Sequence, residues 1–373
     1  MGKTMRALGL MSGTSLDGID IALVTTDGEG RVERGPSRTV PYGAELRRRL
    51  AGALAEARAM THRHERPGTL AEVENDMTIA HADVVAEFLA THAIARDTID
   101  VIGFHGQTVL HRPEQRLTVQ LGDGPLLARL TGIAVVYDMR AADVAAGGQG
   151  APLVPVYHRA LVARLTERPV AVVNIGGVAN ITWIGRDGQL IAFDTGPGNA
   201  LIDDWMRRQT GRPRDEDGKA GLAGQAHEDV VRFYLNHSYF AALPPKSLDR
   251  NAFIPDLVDG LSVEDGAATL AAFTAGAIAR AREVLPEEPE LWIVTGGGRR
   301  NKAIMTRLAG LVHNAVVPAE GAGLDGDAME AEAWAYLAVR SLKGMALTFP
   351  GTTGVSEPTS GGVVTRAGGE SVH

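Results

Sequence analysis

The chain contains the same local pattern twice, and this duplication constrains its fold more than any other feature. Residues 7–11 and 19–24 are apolar runs separated by a glycine-containing turn, and residues 170–173 and 178–184 repeat the arrangement. Apolar runs of this length, bounded by glycine turns, predict buried β-strands joined in hairpins. A repeat spaced by most of a domain predicts two related lobes, and a cleft between lobes is a usual place for a small ligand.

The rest of the pattern favours the α/β class. Apolar strands alternate with segments of helical periodicity, such as the alanine-rich stretch at residues 263–284, and this alternation is typical of sheets flanked by helices. We predict a first lobe over residues 1–140 and a second over residues 141–326. Residues 360–373 are rich in Gly, Val and Ser and are expected to be a disordered tail.

Composition excludes several kinds of partner. The 373 residues carry a formal net charge of −8, which argues against nucleic acid and against an anionic membrane surface. Cysteine is absent, so neither disulfides nor thiolate chemistry is available, as in many proteins of a reducing compartment. No apolar stretch has the length of a membrane span or of a secretion signal. We therefore expect a cytoplasmic protein.

The turn of the first hairpin is rich in hydroxyl and carboxyl groups. Its glycines at positions 13 and 18 are expected to allow positive φ angles and close backbone approach, so that amides and hydroxyls face a polyphosphate. Asp17 and Asp20 are candidates for holding a hydrated Mg²⁺. No Gly-Lys-Ser/Thr follows, so this is not a Walker A loop, and the same residue types also build ordinary hairpin turns. The predicted phosphate contacts are Gly13, Thr14, Ser15, Leu16, Asp17, Gly18, Ile19 and Asp20.

The second half of the chain offers a matching set of groups. Asp194 follows an apolar strand and precedes a helix, where a carboxylate activates a nucleophile, holds Mg²⁺ or simply caps its own backbone. The nearby glycines and the helix N-terminus form a second anion cradle. Glycines after the strand at residues 291–294 let the backbone approach a flat ligand such as adenine, or form a plain turn. The predicted contacts are Gly176, Gly177, Gly196, Gly198, Asn199, Gly296 and Gly297.

Polar residues at other strand ends are candidates for substrate binding. His105 and Gln107 flank a glycine at a strand end, where they either contact a sugar or satisfy the strand terminus. Asp138 and Arg140 follow the next strand, and they either bind a carboxylate and hydroxyls or pair with each other. Glu330 begins the last helix, a position that is also favourable to the helix dipole.

These motifs, taken together in this order, resemble the anhydro-N-acetylmuramic acid kinase family. The resemblance extends over about residues 6–356 and implies the two-lobed actin/hexokinase/Hsp70-type ATPase fold, with duplicated ribonuclease H-like lobes and mixed sheets around a central cleft. In that superfamily the last helix, here residues 327–345, returns to the first lobe. The matching segments are residues 11–18, 103–109, 147–155, 174–181, 193–199, 244–247, 295–298 and 351–353.

The resemblance also implies a reaction and its partners. Family members bind 1,6-anhydro-N-acetylmuramic acid, ATP with Mg²⁺, and water, and they yield N-acetylmuramic acid 6-phosphate and ADP during peptidoglycan recycling. Carried over by motif, Asp194 removes a proton from the water that attacks the anomeric carbon. His105, Gln107, Asp138, Arg140 and Glu330 become candidates for contacts to the sugar, with Arg140 suited to its lactyl carboxylate. A homodimer is expected from the family alone.

Two other function classes remain open on the residues themselves. A glycoside hydrolase would pair Asp194 with a second carboxylate such as Glu330 and open the ring without ATP. An ATP-gated binding protein would hydrolyse ATP slowly and without dependence on a sugar. One segment departs from the family pattern, which often continues Thr-Gly-Arg-Glu after residue 247, whereas this chain has Leu248-Asp-Arg-Asn251 and keeps only Arg250.

Overall fold

The computed structural model describes residues 2–13, 15–250, 252–368 and 371–372. Its strands are β1 (Met5–Met11), β2 (Gly18–Thr26), β3 (Val32–Pro41), β4 (Val101–Phe104), β5 (Gln107–Arg112), β6 (Leu117–Leu121), β7 (Val135–Tyr137), β8 (Val170–Ile175), β9 (Val178–Ile184), β10 (Leu190–Pro197), β11 (Leu291–Thr295), β12 (Ala315–Pro318), β13 (Val363–Thr365) and β14 (Ser371–Val372). Its helices are α1 (Ala44–Glu56), α2 (Leu70–Thr91), α3 (Gly124–Thr131), α4 (Ala141–Ala145), α5 (Pro155–Leu161), α6 (Ala200–Thr210), α7 (Lys219–Ala223), α8 (Glu228–Leu235), α9 (Val263–Ala279), α10 (Lys302–Leu311), α11 (Met329–Leu342) and α12 (Pro350–Thr353).

The chain forms two compact units. The first unit comprises Met1–Ala163 and Ala328–His373, and the second comprises Arg164–Asp327. The first unit therefore extends beyond the boundary predicted at residue 140. The reason is that α5 packs with α11, and the hydroxyl of Tyr157 on α5 donates a hydrogen bond to the buried carboxylate of Glu332 on α11, at 2.7 Å.

The first unit is built on one mixed sheet with the strand order β14-β13-β7-β4-β1-β2-β3. Strands β1, β2 and β3 form an antiparallel meander, whereas β4 runs parallel to β1 and β7 runs parallel to β4. Gly9 and Gly103 are register partners on β1 and β4. A Cβ on Gly9 would lie 1.8 Å from the Ala331 carbonyl oxygen, and one on Gly103 would lie 2.0 Å from that of Trp334. These two glycines thus make the groove in which α11 packs.

The second unit repeats this topology. Its sheet has the order β10-β9-β8-β11-β12, with β8, β9 and β10 antiparallel, β11 parallel to β8, and β12 parallel to β11. This matches β3-β2-β1-β4-β7 of the first unit, strand for strand. Helix α9 is buried along almost its whole length, as its alanine-rich sequence requires. The predicted α/β class with duplicated ribonuclease H-like units is confirmed.

The tail differs from its prediction as a disordered segment. Residues 363–365 form β13, which pairs antiparallel with β7, and β14 pairs with β13. The apolar Val363 and Val364 extend the sheet at an edge that would otherwise leave backbone groups unpaired. Residues 369, 370 and 373 lie outside the described residues. Among the helices that are described, none has the length and apolar character needed to cross a bilayer.

Candidate active site

The turn after β1 is shaped by a leucine rather than by its glycines. Leu16 donates its amide to the Gly13 carbonyl at 3.2 Å and adopts the left-handed conformation at φ 54° with its side chain buried. Neither Gly13 nor Gly18 has a positive φ, so the prediction that they supply this geometry is wrong. The burial of Leu16 in the core holds the turn in place. Thr14 lies outside the described residues.

The contacts of the glycines divide them into two kinds. Some positions exclude a side chain because the protein itself is in the way: a Cβ on Gly18 would lie 2.4 Å from the Val40 carbonyl oxygen, and one on Gly198 would lie 2.2 Å from that of Gly176. The same holds for Gly196 against Ala277 and for Gly296 against Asn174. At other positions a Cβ would make only ordinary contacts, so packing does not explain the glycine. These open positions are Gly13, Gly176, Gly177 and Gly297.

Two carboxylates accompany the first turn. Asp17 is exposed and accepts a hydrogen bond from Ser15 at 2.9 Å, while Asp20 accepts one from Thr39 at 2.5 Å. Burial raises the pKa of Tyr42, and the charges of Asp17 and Asp20 raise it further. Ile19 is buried on β2 and offers only its backbone to a ligand.

The donor set of this turn fits magnesium bound through water. Carboxylate and hydroxyl oxygens are the ligands that Mg²⁺ prefers, and the ion usually keeps several waters. Within the described ranges no group of three or more acidic, histidine or cysteine side chains is arranged to hold a metal directly. Asp17 and Asp20 are therefore suited to a hydrated ion that is also held by a phosphate ligand.

In the second unit the helix N-terminus is occupied by the protein's own carbonyls. The amides of Gly198 and Asn199 donate to the carbonyl oxygens of Gly177 and Gly176 at 2.9 and 2.7 Å, and the Ala200 amide donates to Gly177. The prediction that the start of α6 cradles an anion is therefore wrong for these amides. They instead hold the Gly176-Gly177 turn against α6, which leaves the open outer side of this turn as the surface suited to a ligand.

Asp194 lies on β10 beside this turn. A bulge interrupts the β9–β10 register between Asp194 and Gly196. One carboxylate oxygen, Oδ2, accepts a hydrogen bond from the Leu248 amide at 2.8 Å. Burial raises the pKa of Asp194 to about 6, against the lowering effect of the Leu248 amide. A half-buried carboxyl group with a pKa near neutrality is suited to accept a proton during catalysis.

The glycine turn after β11 is fixed by an arginine that sequence reasoning missed. Arg299 is buried; its guanidinium donates to the Gly296 carbonyl at 2.9 Å and makes ion pairs with Glu320 and Asp327 at 2.9 Å each. Such a guanidinium holds three segments together through directed hydrogen bonds. The available signal was an Arg-Arg pair directly after three glycines. Gly297, at the outside of this turn, remains open to a ligand.

The first unit brings together four of the five predicted sugar contacts. The Ser12 hydroxyl donates to Gln107 Oε1 at 2.8 Å, and the Ser12 carbonyl accepts from His105 Nδ1 at 3.0 Å. Arg140 donates to His105 Nε2 at 3.1 Å. Burial lowers the pKa of Arg140 to about 10, and the charge of Glu330 opposes the shift. Among the described residues Gln107 Nε2 has no hydrogen-bond partner, and the whole side chain is buried.

The fifth predicted sugar contact points elsewhere. Asp138 is left-handed at φ 56°, and its carboxylate pairs with Arg63 rather than with Arg140. Both residues line a cavity of about 550 Å³ whose lining also includes His105, Arg66 and strand β6. Arg140 and Glu330 do not line it. The basic loop that holds Arg63 and Arg66 gave no sequence signal of this role.

The duplicated topology defines a class, the two-unit α/β proteins with ribonuclease H-like sheets. A model of the anhydro-N-acetylmuramic acid kinase family matches residues 5–367. Relatives named anhydro-N-acetylmuramic acid kinase include one from Rhizobium etli, 54% identical with 96% of this chain and 98% of the relative covered, and one from Paramagnetospirillum magneticum, 55% identical with 96% and 99% covered. The chain belongs to the anhydro-N-acetylmuramic acid kinase family, and the predicted kinase activity is confirmed.

Solved structures that align with the chain share little sequence with it. Component A of (R)-2-hydroxyglutaryl-CoA dehydratase from Acidaminococcus fermentans aligns with a TM-score of 0.49 at 13% identity, covering 91% of this chain and 99% of that one. A ROK family glucokinase from Streptomyces griseus, in complex with glucose and AMPPNP, aligns with a TM-score of 0.36 at 14% identity, covering 89% and 99%.

Proposed function

We propose that this enzyme opens the 1,6-anhydro ring of 1,6-anhydro-N-acetylmuramic acid with water and phosphorylates O6 from ATP. The observation that carries the proposal is Asp194, a half-buried carboxyl group with one oxygen held by a backbone amide and a pKa raised by burial to about 6. At neutral pH most of this group is ionised and able to accept a proton. O6 of the anhydro sugar carries no proton, so the base serves water.

The proposed reaction forms and breaks three kinds of bond: an O–H bond, the C1–O bonds of the sugar and the P–O bonds of the transferred phosphoryl group. Asp194 takes a proton from water while the water oxygen bonds to C1 of the sugar. The C1–O6 bond breaks and its electrons remain on O6, which attacks the γ-phosphorus of ATP. The bond between the γ-phosphorus and the β–γ bridging oxygen breaks, ADP leaves, and Asp194 releases its proton to solvent. The products are N-acetylmuramic acid 6-phosphate, ADP and one proton.

Each phosphate turn has a proposed part in this reaction. The turn at Gly13 would supply amides and hydroxyls to the β- and γ-phosphates, and Asp17 and Asp20 would hold a hydrated Mg²⁺. When bound, this ion neutralises charge on the transferring phosphoryl group. The open turn at Gly176-Gly177 supplies further backbone contacts to phosphate, and Gly297 allows close approach of the adenosine. Positioning and charge stabilisation are the main contributions that phosphoryl transfer requires of a protein.

The sugar contacts follow from the network in the first unit. Arg140 is proposed to bind the lactyl carboxylate, because a guanidinium offers a planar pair of donors to it. Glu330 accepts a hydrogen bond from a sugar hydroxyl, whereas Gln107, which is fully buried, contributes indirectly by holding the Ser12 hydroxyl. His105 contributes indirectly, since both its ring nitrogens are used within the protein. A homodimer and a cytoplasmic location stay predictions.

The test is ADP release with and without the anhydro sugar, in ¹⁸O-labelled water, with mass spectrometry of the product. Sugar-dependent ADP release, one phosphate on O6 and label at C1 are expected. Phosphorylation without label at C1 would show an ordinary sugar kinase and exclude the role given to Asp194. Ring opening without ATP would identify a hydrolase instead. Steady ADP release that is independent of the sugar would identify an ATP-gated binding protein.

The matching variant is Asp194→Asn, which keeps an oxygen to accept the Leu248 amide. Loss of a general base lowers turnover by about 10²- to 10⁴-fold, while the affinity for ADP measured by calorimetry is expected to stay unchanged. Turnover near that of the unmodified enzyme would remove Asp194 from the mechanism.

A further inference from the structure

One loop of the second unit holds Asp194 at three of its atoms. The Asp194 amide donates to the Lys246 carbonyl at 3.1 Å, and Asp194 Oδ2 accepts from the Leu248 amide at 2.8 Å. The Tyr239 hydroxyl donates to the Asp194 carbonyl oxygen. Residues 239–248, named the clamp loop here, therefore fix both the backbone and the carboxyl group of this residue.

The clamp loop is itself anchored. Lys246 Nζ donates to the Tyr239 carbonyl at 3.2 Å and lies 4.7 Å from the centre of the Tyr239 ring. Phe240 is buried, and its ring centre lies 5.8 Å from that of Phe253. Because the two ends of the loop are tied to each other and to the core, its contacts to Asp194 are held at fixed positions.

We propose that the Tyr239 hydroxyl and the Leu248 amide are positioning groups that aim Asp194 Oδ1 at the reacting water. The inference rests on the proposed function of Asp194. The described residues give Oδ1 no hydrogen bond, whereas Oδ2 is held. A carboxylate with both oxygens free rotates about its last torsion, and a base displaced by about 1 Å loses much of its effect. Fixing one oxygen leaves the other with a single direction.

The same contact tunes the base. Burial disfavours the charged form of Asp194, and the Leu248 amide stabilises it. Burial raises the pKa of Tyr239, and the charge of Asp194 raises it further. Lys246 lies next to Tyr239 on the clamp loop. On the α9 side the neighbouring contact is Ala277 against Gly196, which carries no charge. Removing the amide is therefore expected to raise the pKa of the base.

The structure explains why the clamp loop can differ from the family pattern. The family often has Thr after residue 247, and this chain has Leu248. The contact to Asp194 comes from the backbone amide, so the side chain at this position is free to differ. Proline is the substitution that such a role excludes, since it has no amide hydrogen.

The test compares four variants of the full-length enzyme. Leu248→Pro removes the amide donor, and Leu248→Ala reports how much the side chain contributes by packing alone. Tyr239→Phe removes the hydroxyl, and Tyr234→Phe is its matched control, because Tyr234 also donates to a backbone carbonyl, that of Ile254 at 2.9 Å, away from Asp194. Measurements are kcat, the KM of each substrate, the pH dependence of kcat/KM, ADP affinity and the thermal midpoint.

Tyr239→Phe is expected to lower kcat about ten-fold with little change in either KM or in ADP affinity, and Tyr234→Phe to leave kcat unchanged. Compared with Leu248→Ala, Leu248→Pro is expected to have a kcat lower by about ten-fold or more. It is also expected to move the acid limb of the kcat/KM profile to a higher pH. If Leu248→Pro fails to fold, Tyr239→Phe decides the question.

Unchanged kcat and pH dependence in Tyr239→Phe and Leu248→Pro would overturn the positioning role, provided that Asp194→Asn is inactive. Activity in Asp194→Asn would instead refute the proposed function and, with it, this inference. A kcat loss that appears equally in Tyr234→Phe would assign the effect of Tyr239→Phe to general loosening of the unit.

Discussion

Mild acid is expected to destabilise the first unit selectively. His81, His105 and His158 are buried in this unit. Burial lowers the pKa of His81 to about 4 and those of His105 and His158 to about 3, and for His105 the charge of Arg140 adds to the effect. Each histidine is therefore neutral in the folded unit at pH 5 and becomes protonated only when the unit unfolds.

The magnitude follows from the difference in proton binding. In the unfolded chain a histidine has a pKa of about 6.5, so between pH 6.5 and pH 4 unfolding takes up a proton at each buried histidine. The free energy of unfolding therefore decreases as the pH falls through this range. Lowering the pH from 7 to 5 costs about 2 kcal/mol for each of these groups. Three such groups reach about 6 kcal/mol, comparable with the whole stability of many domains.

The second unit is expected to respond in the opposite direction. Burial raises the pKa values of Asp194 and Asp203 to about 6. In the unfolded chain they titrate near 3.9, so from pH 7 to pH 5 the folded unit binds protons that the unfolded chain does not. The free energy of unfolding rises by about 1 kcal/mol for Asp194 over this range, and the direction is the same for Asp203.

Pulsed hydrogen exchange with mass spectrometry distinguishes the two units. The protein is equilibrated in urea at pH 7 or pH 5 and labelled briefly at one common pH, and peptides from residues 1–163 and 328–373 are compared with peptides from residues 164–327. The urea midpoint of the first set is expected to fall at pH 5 and that of the second set to hold or rise. His81→Phe keeps a ring beside Phe104. In this variant the number of protons taken up when the first unit unfolds is expected to fall by one, so the urea midpoint of the first set should depend less on pH. Equal shifts in both sets would refute the reasoning.

Three further predictions concern ligand binding. Gly13→Val is expected to weaken ATP binding by at least ten-fold in calorimetry and to leave sugar affinity unchanged. A Cβ at this position would meet no protein backbone atom closer than 4.0 Å, so the added side chain would crowd the phosphate rather than the protein. Equal affinity for ATP would exclude this turn as the phosphate site. Arg140→Lys is expected to raise the KM of the anhydro sugar about ten-fold, by loss of a planar pair of donors, and an unchanged KM would place the lactyl group elsewhere. Arg299→Met is expected to lower the thermal midpoint and ADP affinity together, because it leaves Glu320 and Asp327 without their buried partner; a stable variant with unchanged ADP affinity would show that the Gly296 turn does not depend on this arginine.

The fold could be predicted from the sequence because its duplication is visible as two matching sets of apolar runs and glycine turns. Strands β1, β2, β8 and β9 lie where the paired runs predicted them, and Gly9 and Gly103 mark the strands on which α11 packs. The prediction of a disordered tail was wrong because the strand that orders it, β13, pairs with β7 over only three residues, which is too short a run to recognise in the sequence. So short a strand gains its stability from the sheet edge rather than from its own sequence.

The geometry of the site was harder to predict from the sequence, because hydrogen bonds made by backbone atoms depend little on residue type. The Leu248 amide that holds Asp194 and the Gly176 carbonyl that occupies the Asn199 amide are set by chain path alone. The left-handed turn residue proved to be Leu16, because a buried side chain fixes a turn that glycine would merely permit. Composition predicts which chemistry is present, whereas the tertiary fold decides which atoms remain available for it.

His105 shows how such availability determines function. Its Nδ1 faces the Ser12 carbonyl and must carry the hydrogen, so Nε2 is left as the acceptor for Arg140. Only this neutral tautomer satisfies both contacts, and burial keeps the ring neutral by lowering its pKa to about 3. The histidine therefore uses Nδ1 to bind the Ser12 carbonyl and Nε2 to hold Arg140, and it has neither nitrogen left for a sugar hydroxyl. Protonation would turn the acceptor into a donor facing a cation, so the same event that contributes to the acid sensitivity of the first unit would also disturb the orientation of Arg140, the proposed partner of the lactyl carboxylate.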